Sequence, residues 1–373
     1  MQPHEPFLKR PGIERLWHKN LSLADFLRWL PLTGAAGFFR VGVSARRLYW
    51  RMKKRAATVK TISVGNLTVG GNGKTPFTIF LASRLQSRGL RVGIVSRGYN
   101  RTRNAAPATL VADNGALIVT VDDAGDEPAM MAKSFSGPIA VARRRIDGIE
   151  LLLSHGPLDA VILDDAFQHL RLDRDVDLVL VNRERGFGNG WMLPAGPMRE
   201  PLGAINRAHA VIVIDSGVGE SALTPSQLRK INNRTVLHAS MRPRSLLVIE
   251  HGEWRETPLA IAGSRVIAVC GLADPGGFYA MLRELDVDLI AVLEYPDHYA
   301  YTTRDWQNIV KAMRDGGIVV TTEKDLIKLE RFPFARNSLY ALKLEVRMEP
   351  ADSAALEELI VGREIPPAVA ARS

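Results

Sequence analysis

Cysteine is nearly absent: Cys270 is the only one in 373 residues. No intrachain disulfide can form, and a Cys-rich metal site is excluded. A reducing compartment fits that usage. The opening stretch "MQPHEPFLKRPG" lacks the apolar core of a cleavable signal, so none is expected. Between Arg28 and Arg40 only 11 uncharged residues intervene, whereas a spanning helix needs roughly 20. No internal repeat and no low-complexity tract interrupts the chain. No nucleic-acid motif occurs, and the aromatic residues do not interleave with a basic run, so nucleic acid is not an expected partner. No feature calls for an obligate protein partner either.

Acidic residues are in the minority. Lys and Arg number 49 against 40 Asp and Glu, a net charge of +9 with a pI near 9.8. That balance suits an acidic partner such as phospholipid or a phosphorylated substrate. With 46% hydrophobic and 24% charged residues the composition is that of a soluble protein with ample core. The length suggests two domains.

Part of the basic surplus gathers near the N-terminus. From Phe26 to Val43 the chain is mostly apolar and carries Trp29, Leu30, Leu32, Phe38 and Phe39. Arg46, Arg47, Arg51, Lys53, Lys54 and Arg55 follow. Pro31, Gly34 and Gly37 weaken a straight helix. An interfacial membrane element with a basic flank is therefore expected over residues 1–55, resting on an anionic membrane surface. The competing reading is a core helix packed on the domain.

The next stretch is "TVGGNGKTP", residues 68–76. A phosphate-binding loop has Gly, four residues, then Gly-Lys-Ser/Thr; here Thr68 occupies the first glycine position. The apolar "VKTISVGNL" before it reads as a buried strand. Phe77, Phe80, Leu81 and Leu85 after it fall at helical spacing, with Gly89 as a stop. Glycines between a strand and a helix let backbone N–H groups and the helix N-terminus face phosphate oxygens. The loop Thr68, Val69, Gly70, Gly71, Asn72, Gly73, Lys74, Thr75 is thus the candidate nucleotide cradle. Lys74 would reach the outer phosphates and the Thr75 hydroxyl would bind magnesium.

Further strands are expected at "RVGIVS", "LIVTV" (117–121), "PIAVA", "DAVILDD", "VDLVLV" and "AVIVID", with helices between them. That alternation predicts a P-loop NTPase-type, mostly parallel sheet covered by helices on both faces, over residues 56–216. Residues 217–262 are polar and mixed and read as a hinge. Residues 263–345 carry their own strand candidates and form a smaller C-terminal α/β domain. Residues 346–373 are expected to be a tail, loose at "REIPPAVAARS".

Chemistry concentrates in a few stretches. "AVILDD" ends an apolar strand in Asp164 and Asp165, the arrangement that holds magnesium or its water shell beside a phosphate loop. Gln168 and His169 lie just beyond. In "GDEP", Asp126 is either an ordinary helix N-cap or a carboxylate able to take a proton from an attacking hydroxyl. In "YPDHYAY", His298 sits in a polar turn, where it could pair with a carboxylate. Arg97, Arg101 and Arg199, in "SRGYNR" and "PAGPMREP", are candidate phosphate contacts. The cluster Arg143, Arg144, Arg145 reads equally as a solvated helix start. "TEKD" (322–325) superficially suggests a guanine reader, but Lys324 and Asp325 are adjacent, so that reading fails.

Taken in order, "TVGGNGKTP", "SRGYNR", "GDEP", "DDAFQH", "PAGPMREP", "YPDHYAY" and "TEKD" resemble the tetraacyldisaccharide 4'-kinases, the lipid A kinases of Gram-negative bacteria. The resemblance covers about residues 25–345 and rests on the ordered set. It implies transfer of the ATP γ-phosphate to the 4'-hydroxyl of a tetraacylated glucosamine disaccharide 1-phosphate, giving lipid IVA. It further implies ATP and magnesium as cofactors, a P-loop core hinged to a smaller domain, and an N-terminal element on the cytoplasmic face of the inner membrane. In that family a non-glycine residue at the first loop position is usual. Asp126 matches the catalytic carboxylate and His298 its partner; Lys74 and Thr75 match the phosphate and metal residues, and Asp164 and Asp165 the Walker B pair. Arg145, Gln168, Arg199 and Glu200 match residues around the active site. Ala166 and Tyr299 depart from the family's common Gly and second His.

Two other classes compete. A dimerising ATPase of the deviant Walker type, acting as a nucleotide switch on the membrane, would need a signature lysine where Val69 stands. A non-enzymatic nucleotide-gated adaptor would have no use for Asp126 and His298.

Overall fold

The computed structural model describes Trp17 and residues 23–99, 106–217, 219–314, 316–332 and 339–362. Helix α1 (Leu23–Arg51) is one continuous helix of 29 residues with Pro31 inside it. The expected weakening by Pro31, Gly34 and Gly37 does not break it. Proline removes one donor, but the carbonyl it would have served belongs to Leu27, on an exposed stretch open to water.

The rest of the described chain builds on one mixed sheet of 14 strands. The first half runs β1 (Lys60–Asn66), α2 (Lys74–Ser87), β2 (Val92–Ser96), β3 (Ala108–Asp113), β4 (Ala116–Leu117), α3 (Val121–Ala124), α4 (Asp126–Ala132), β5 (Ile139–Ala142), α5 (Arg145–His155), β6 (Ala160–Asp164), β7 (Val176–Asn182) and β8 (Ala210–Asp215). The second runs α6 (Pro225–Ile231), β9 (Thr235–Glu250), β10 (Glu253–Thr257), β11 (Arg265–Cys270), α7 (Gly276–Glu284), β12 (Asp288–Glu294), α8 (Thr303–Met313), β13 (Ile318–Thr322), α9 (Glu323–Leu329), β14 (Leu339–Met348) and α10 (Pro350–Val361). Spatially the order is β12-β11-β13-β14-β9-β8-β7-β1-β6-β2-β5-β3-β4, with β10 on β9.

Strand β1 lies parallel between β6 and β7. All three strands are buried along their whole length, as their near-continuous apolar runs require in a sheet covered on both faces. This puts the ends of β1 and β6, with the loops that follow them, side by side.

Three local expectations need correction. "LIVTV" is a strand only at Ala116–Leu117. Thr120 instead caps α3, accepting from the Asp123 amide, with Asp122 and Asp123 in the first turn. A cap with two acids at a helix N-terminus outweighs a five-residue apolar alternation. The region 217–262 is no irregular hinge, because β9 fills 16 residues of it. β9 runs parallel to β8 over Thr235–Ser240 and antiparallel to β14. Pro243 stands where the β9–β14 register shifts, one of the few places a strand admits proline. The two halves therefore share a sheet. Lastly, residues 350–361 of the expected tail form α10. Leu356 and Ile360 join the core of the first half. Glu357 pairs with Arg84 at 2.5 Å and Arg88 at 2.6 Å, and buried Lys60 donates to the Ile360 carbonyl. The stretch "REIPPAVAARS" lies outside the described residues.

Candidate active site

The glycine loop turns from β1 into α2 as expected. Gly70 (φ 96°) and Gly73 (φ 71°) hold left-handed backbone that side chains disfavour. The Thr68 hydroxyl accepts from the buried Asn72 amide at 3.0 Å, so a side chain at this position braces the loop from within. A neighbouring segment clamps it from outside: the Val69 amide donates to the Pro197 carbonyl and the Arg199 amide to the Leu67 carbonyl, both at 2.8 Å. That clamp is "PAGPMREP". Lys74 Nζ lies 3.3 Å from Asn66 Oδ1 and 3.6 Å from Asp165 Oδ1, at the mouth of the loop.

The two acids after β6 have different surroundings. Asp164 is buried and accepts from the Thr78 hydroxyl at 3.4 Å and the Ser96 hydroxyl at 3.1 Å. Burial, and then repulsion from Glu127 and Asp165, push its pKa up to about 7 against the pull of Lys74 and Arg145. Asp165 adopts φ 45° and meets Arg199 Nη1 with both oxygens at 2.9 Å. Burial raises its pKa, but Lys74, Arg199 and Arg145 together leave it below the ordinary range. Arg145 is 2% exposed and donates to the carbonyls of Ala142 (2.9 Å) and Asp164 (2.8 Å), which fixes the end of β6. Burial lowers its pKa to about 10 despite Asp164 and Asp165.

Asp126 is not the N-cap of α4; that position belongs to Gly125 (φ 88°). A Cβ on Gly125 would come within 2.8 Å of the Tyr99 carbonyl, so only glycine lets α4 start here. Asp126 opens the helix and its Oδ2 lies 3.1 Å from His298 Nδ1. His298 comes from the second half of the chain, at a left-handed position (φ 57°) in the loop after β12. The Tyr99 ring packs on the imidazole with centroids 5.1 Å apart. The fold thus unites the two residues across 172 positions.

One cleft of about 1820 Å³ is lined by the glycine loop, Asp164, Asp165, Gln168, Arg97, Arg199, Glu200 and His298. Arg97 is exposed at its edge. Gln168 Nε2 donates to the Asn66 carbonyl at 2.8 Å, so it braces the strand that carries the loop. His169 is driven down to about 3 by burial and by Arg145, Arg174, Arg171 and Arg46, which leaves it neutral at physiological pH. Glu200 offers no free carboxylate, since Arg207 binds both its oxygens at 2.8 and 2.9 Å. Arg101 lies outside the described residues.

Three cations were missed at the sequence level. Arg185 donates to the Gly71 carbonyl at 3.1 Å and lies 3.3 Å from Asp274 Oδ2, so it joins the glycine loop to the second half. Lys324 and Lys328 face the Asp126–His298 pair. For Arg185 the available signal was its place in "NRERG", just past the end of β7; for the lysines it was their spacing of four in α9.

A family model described as tetraacyldisaccharide-1-P 4'-kinase matches residues 28–363. A tetraacyldisaccharide 4'-kinase of Syntrophobacter fumaroxidans is 37% identical over 330 residues, 86% of this chain and 85% of the relative. That of an Anaeromyxobacter species is 34% identical over 348 residues, 90% of this chain and 92% of the relative. The crystal structure of the "apo" form of LpxK from Aquifex aeolicus, in complex with ATP, is 30% identical. It covers 89% of this chain and 99% of its own, with a TM-score of 0.71. The chain therefore belongs to the tetraacyldisaccharide-1-P 4'-kinase family.

Proposed function

We propose that this protein transfers the γ-phosphate of ATP to the 4'-hydroxyl of a tetraacyldisaccharide 1-phosphate. The observation that carries the reading is a carboxylate–imidazole pair, Asp126 with His298 at 3.1 Å, whose histidine lines the same cleft as a glycine-lysine-threonine phosphate loop. The loop amides and Lys74 would cradle and neutralise the phosphates. Asp126 would accept the acceptor hydroxyl's proton while His298 orients it. The membrane switch reading remains weaker, because it requires neither residue.

The residues fit magnesium held jointly with phosphate. Thr75, Asp164 and Asp165 line the same cleft, and one or two carboxylates beside substrate phosphates are what magnesium usually takes from a protein. Burial, and then repulsion from Glu127 and Asp165, raise the pKa of Asp164, and a cation beside it would oppose both effects. Thr75 and Asp165, with Asp164 behind, would hold the ion, and its charge would offset that of the transferring phosphoryl group.

The same reading places the protein on the cytoplasmic face of the inner membrane. No helix among the described residues is long and apolar enough to cross a membrane. α1 nevertheless exposes Phe26, Leu27, Leu30, Val41 and Leu48, and Phe38 at 84%, which supports an interfacial role. One expected anchor belongs to the protein instead: Trp29 donates its indole N–H to the Ala195 carbonyl at 2.7 Å and meets Trp191 edge to face. Part of the basic flank is also engaged, Arg46 with the Gln168 carbonyl and Lys54 with Asp173.

The test is phosphate transfer from labelled ATP to the purified disaccharide lipid. Labelled 4'-phosphorylated product is expected; ATP consumption without lipid labelling would overturn the reading.

A further inference from the structure

"TEKD" has a structural task that its spacing did not reveal. It is the turn from β13 into α9. Thr322 caps the helix, accepting from the Asp325 amide at 3.2 Å and donating to Asp325 Oδ2 at 2.8 Å. Asp325 is fully buried and accepts from the Gly271 amide at 2.9 Å. The helix start is therefore fixed at both ends of the motif. Four residues apart, Lys324 and Lys328 then share one face, and that face meets the Asp126–His298 pair.

Lys324 Nζ lies 3.2 Å from His298 Nε2 and 2.6 Å from Asp297 Oδ1. Lys328 Nζ lies 3.7 Å from Asp126 Oδ2 and 3.0 Å from Asp325 Oδ1, with its side chain 8% exposed. An ammonium group has donors and no acceptor. Facing Lys324, Nε2 must accept, so the ring proton of neutral His298 sits on Nδ1 and is donated to Asp126. The tautomer follows from the network of partners.

We propose that Lys324 and Lys328 are positioning residues of the phosphoryl transfer: Lys324 sets the tautomer of His298, and Lys328 holds the Asp126 carboxylate through Oδ2, the oxygen that also meets His298. The proposal rests on the kinase reading above. In the step it serves, the acceptor O–H bond breaks and its proton passes to Asp126. The freed oxygen bonds to the γ-phosphorus as the bond from that phosphorus to the bridging oxygen of ADP breaks. In a loose transition state little charge builds on the attacking oxygen before the end, so a weak base that stays ionised is adequate.

The charges around Asp126 agree. Burial alone would raise its pKa, but opposing effects, led by the hydrogen bond from His298 and then the charge of Lys328, leave it below the ordinary range. Glu127 on α4, Asp297 beside His298 and Asp325 on α9 are the acidic groups nearby. Asp297 and Asp325 are each paired with one of the two lysines.

Two measurements on the full-length enzyme test this. The first is the pH profile of kcat/KM for lipid phosphorylation by wild type, Lys328→Met and Lys328→Arg. Loss of a cation this close should move the acid limb up by about one pH unit, so Lys328→Met slows roughly tenfold in the acid range and far less near neutrality; Lys328→Arg restores the limb. The second is the ring-nitrogen NMR signal of His298, which needs no substrate. Wild type should show the Nδ1–H form, and Lys324→Met, a change at a residue 16% exposed, should release it to a mixture. An unmoved acid limb with a uniform loss at every pH, or an unchanged tautomer in Lys324→Met, overturns the proposal. If Lys328→Met does not melt cooperatively, the tautomer result decides alone. A wild-type enzyme that labels no lipid would instead sink the kinase reading, while the tautomer measurement still judges Lys324.

Discussion

Single residues carry the chemistry, and their surroundings say what each loss should do. Lys74 lies 3.3 Å from Asn66 Oδ1 and 3.6 Å from Asp165 Oδ1, at the mouth of the loop, where its charge can meet phosphate. Lys74→Ala should lower turnover by roughly a hundredfold or more with an unchanged melting curve; near-normal turnover in a folded variant would sink the phosphate-loop assignment. Asp126 and His298 touch, so they should act as one unit. Each alanine variant should lose most of the activity, and the double variant should lose far less than the product of the two. Multiplicative losses in steady-state kinetics would show that the pair does not cooperate. Glu200 has a different fate. Its buried carboxylate pairs with the partly exposed Arg207 guanidinium, and Arg207 also stacks on Phe167. Glu200→Ala removes the carboxylate partner of that cation, at a cost of about 1–3 kcal/mol. A lower unfolding midpoint in denaturant is expected, and an unchanged midpoint would show that the pair does not stabilise the fold.

At the level of elements, the glycine loop does not stand alone. β1 presents it, "PAGPMREP" clamps one side, and Arg185 reaches it from the end of β7. Trp29 of α1 holds the clamp in turn through the Ala195 carbonyl. Arg185 is partly exposed in both of its contacts, so its ion pair with Asp274 adds little stability. Its effect should fall on the loop. Arg185→Ala is expected to raise the KM for ATP several-fold while the melting temperature stays within a degree or two of wild type. An unaltered KM would show that the bond to the Gly71 carbonyl has no bearing on nucleotide binding.

Across the whole molecule, the apolar face of α1 and the basic surplus should respond differently to salt. Apolar insertion is insensitive to ionic strength, whereas attraction to anionic headgroups, about 1 kcal/mol per basic residue, is screened. Vesicle sedimentation should therefore show partial release from anionic vesicles in high salt, and nearly complete release when residues 1–50 are deleted. The deletion should also harm turnover on vesicle-bound lipid more than it harms ATP binding. Sedimentation of the truncated protein like the intact chain would place the membrane contact elsewhere.

The sequence by itself determined what depends on neighbours in the chain. The strand–glycines–helix order of 59–89, the acids ending β6 and the alternation of strands and helices were legible, because hydrophobic periodicity and turn chemistry are local. Thr120 was misread because a cap outweighed a short apolar run, and β9 because a strand that joins two halves of a sheet need not alternate. Only the tertiary structure decided the rest. It brought His298 to Asp126 across 172 positions, sent Trp29 to a protein carbonyl, and packed α10 on the first half. It also turned the lysines of α9 toward the candidate base. Each of those outcomes depends on which surfaces the sheet order lays against one another, and no local pattern encodes a contact made across the fold.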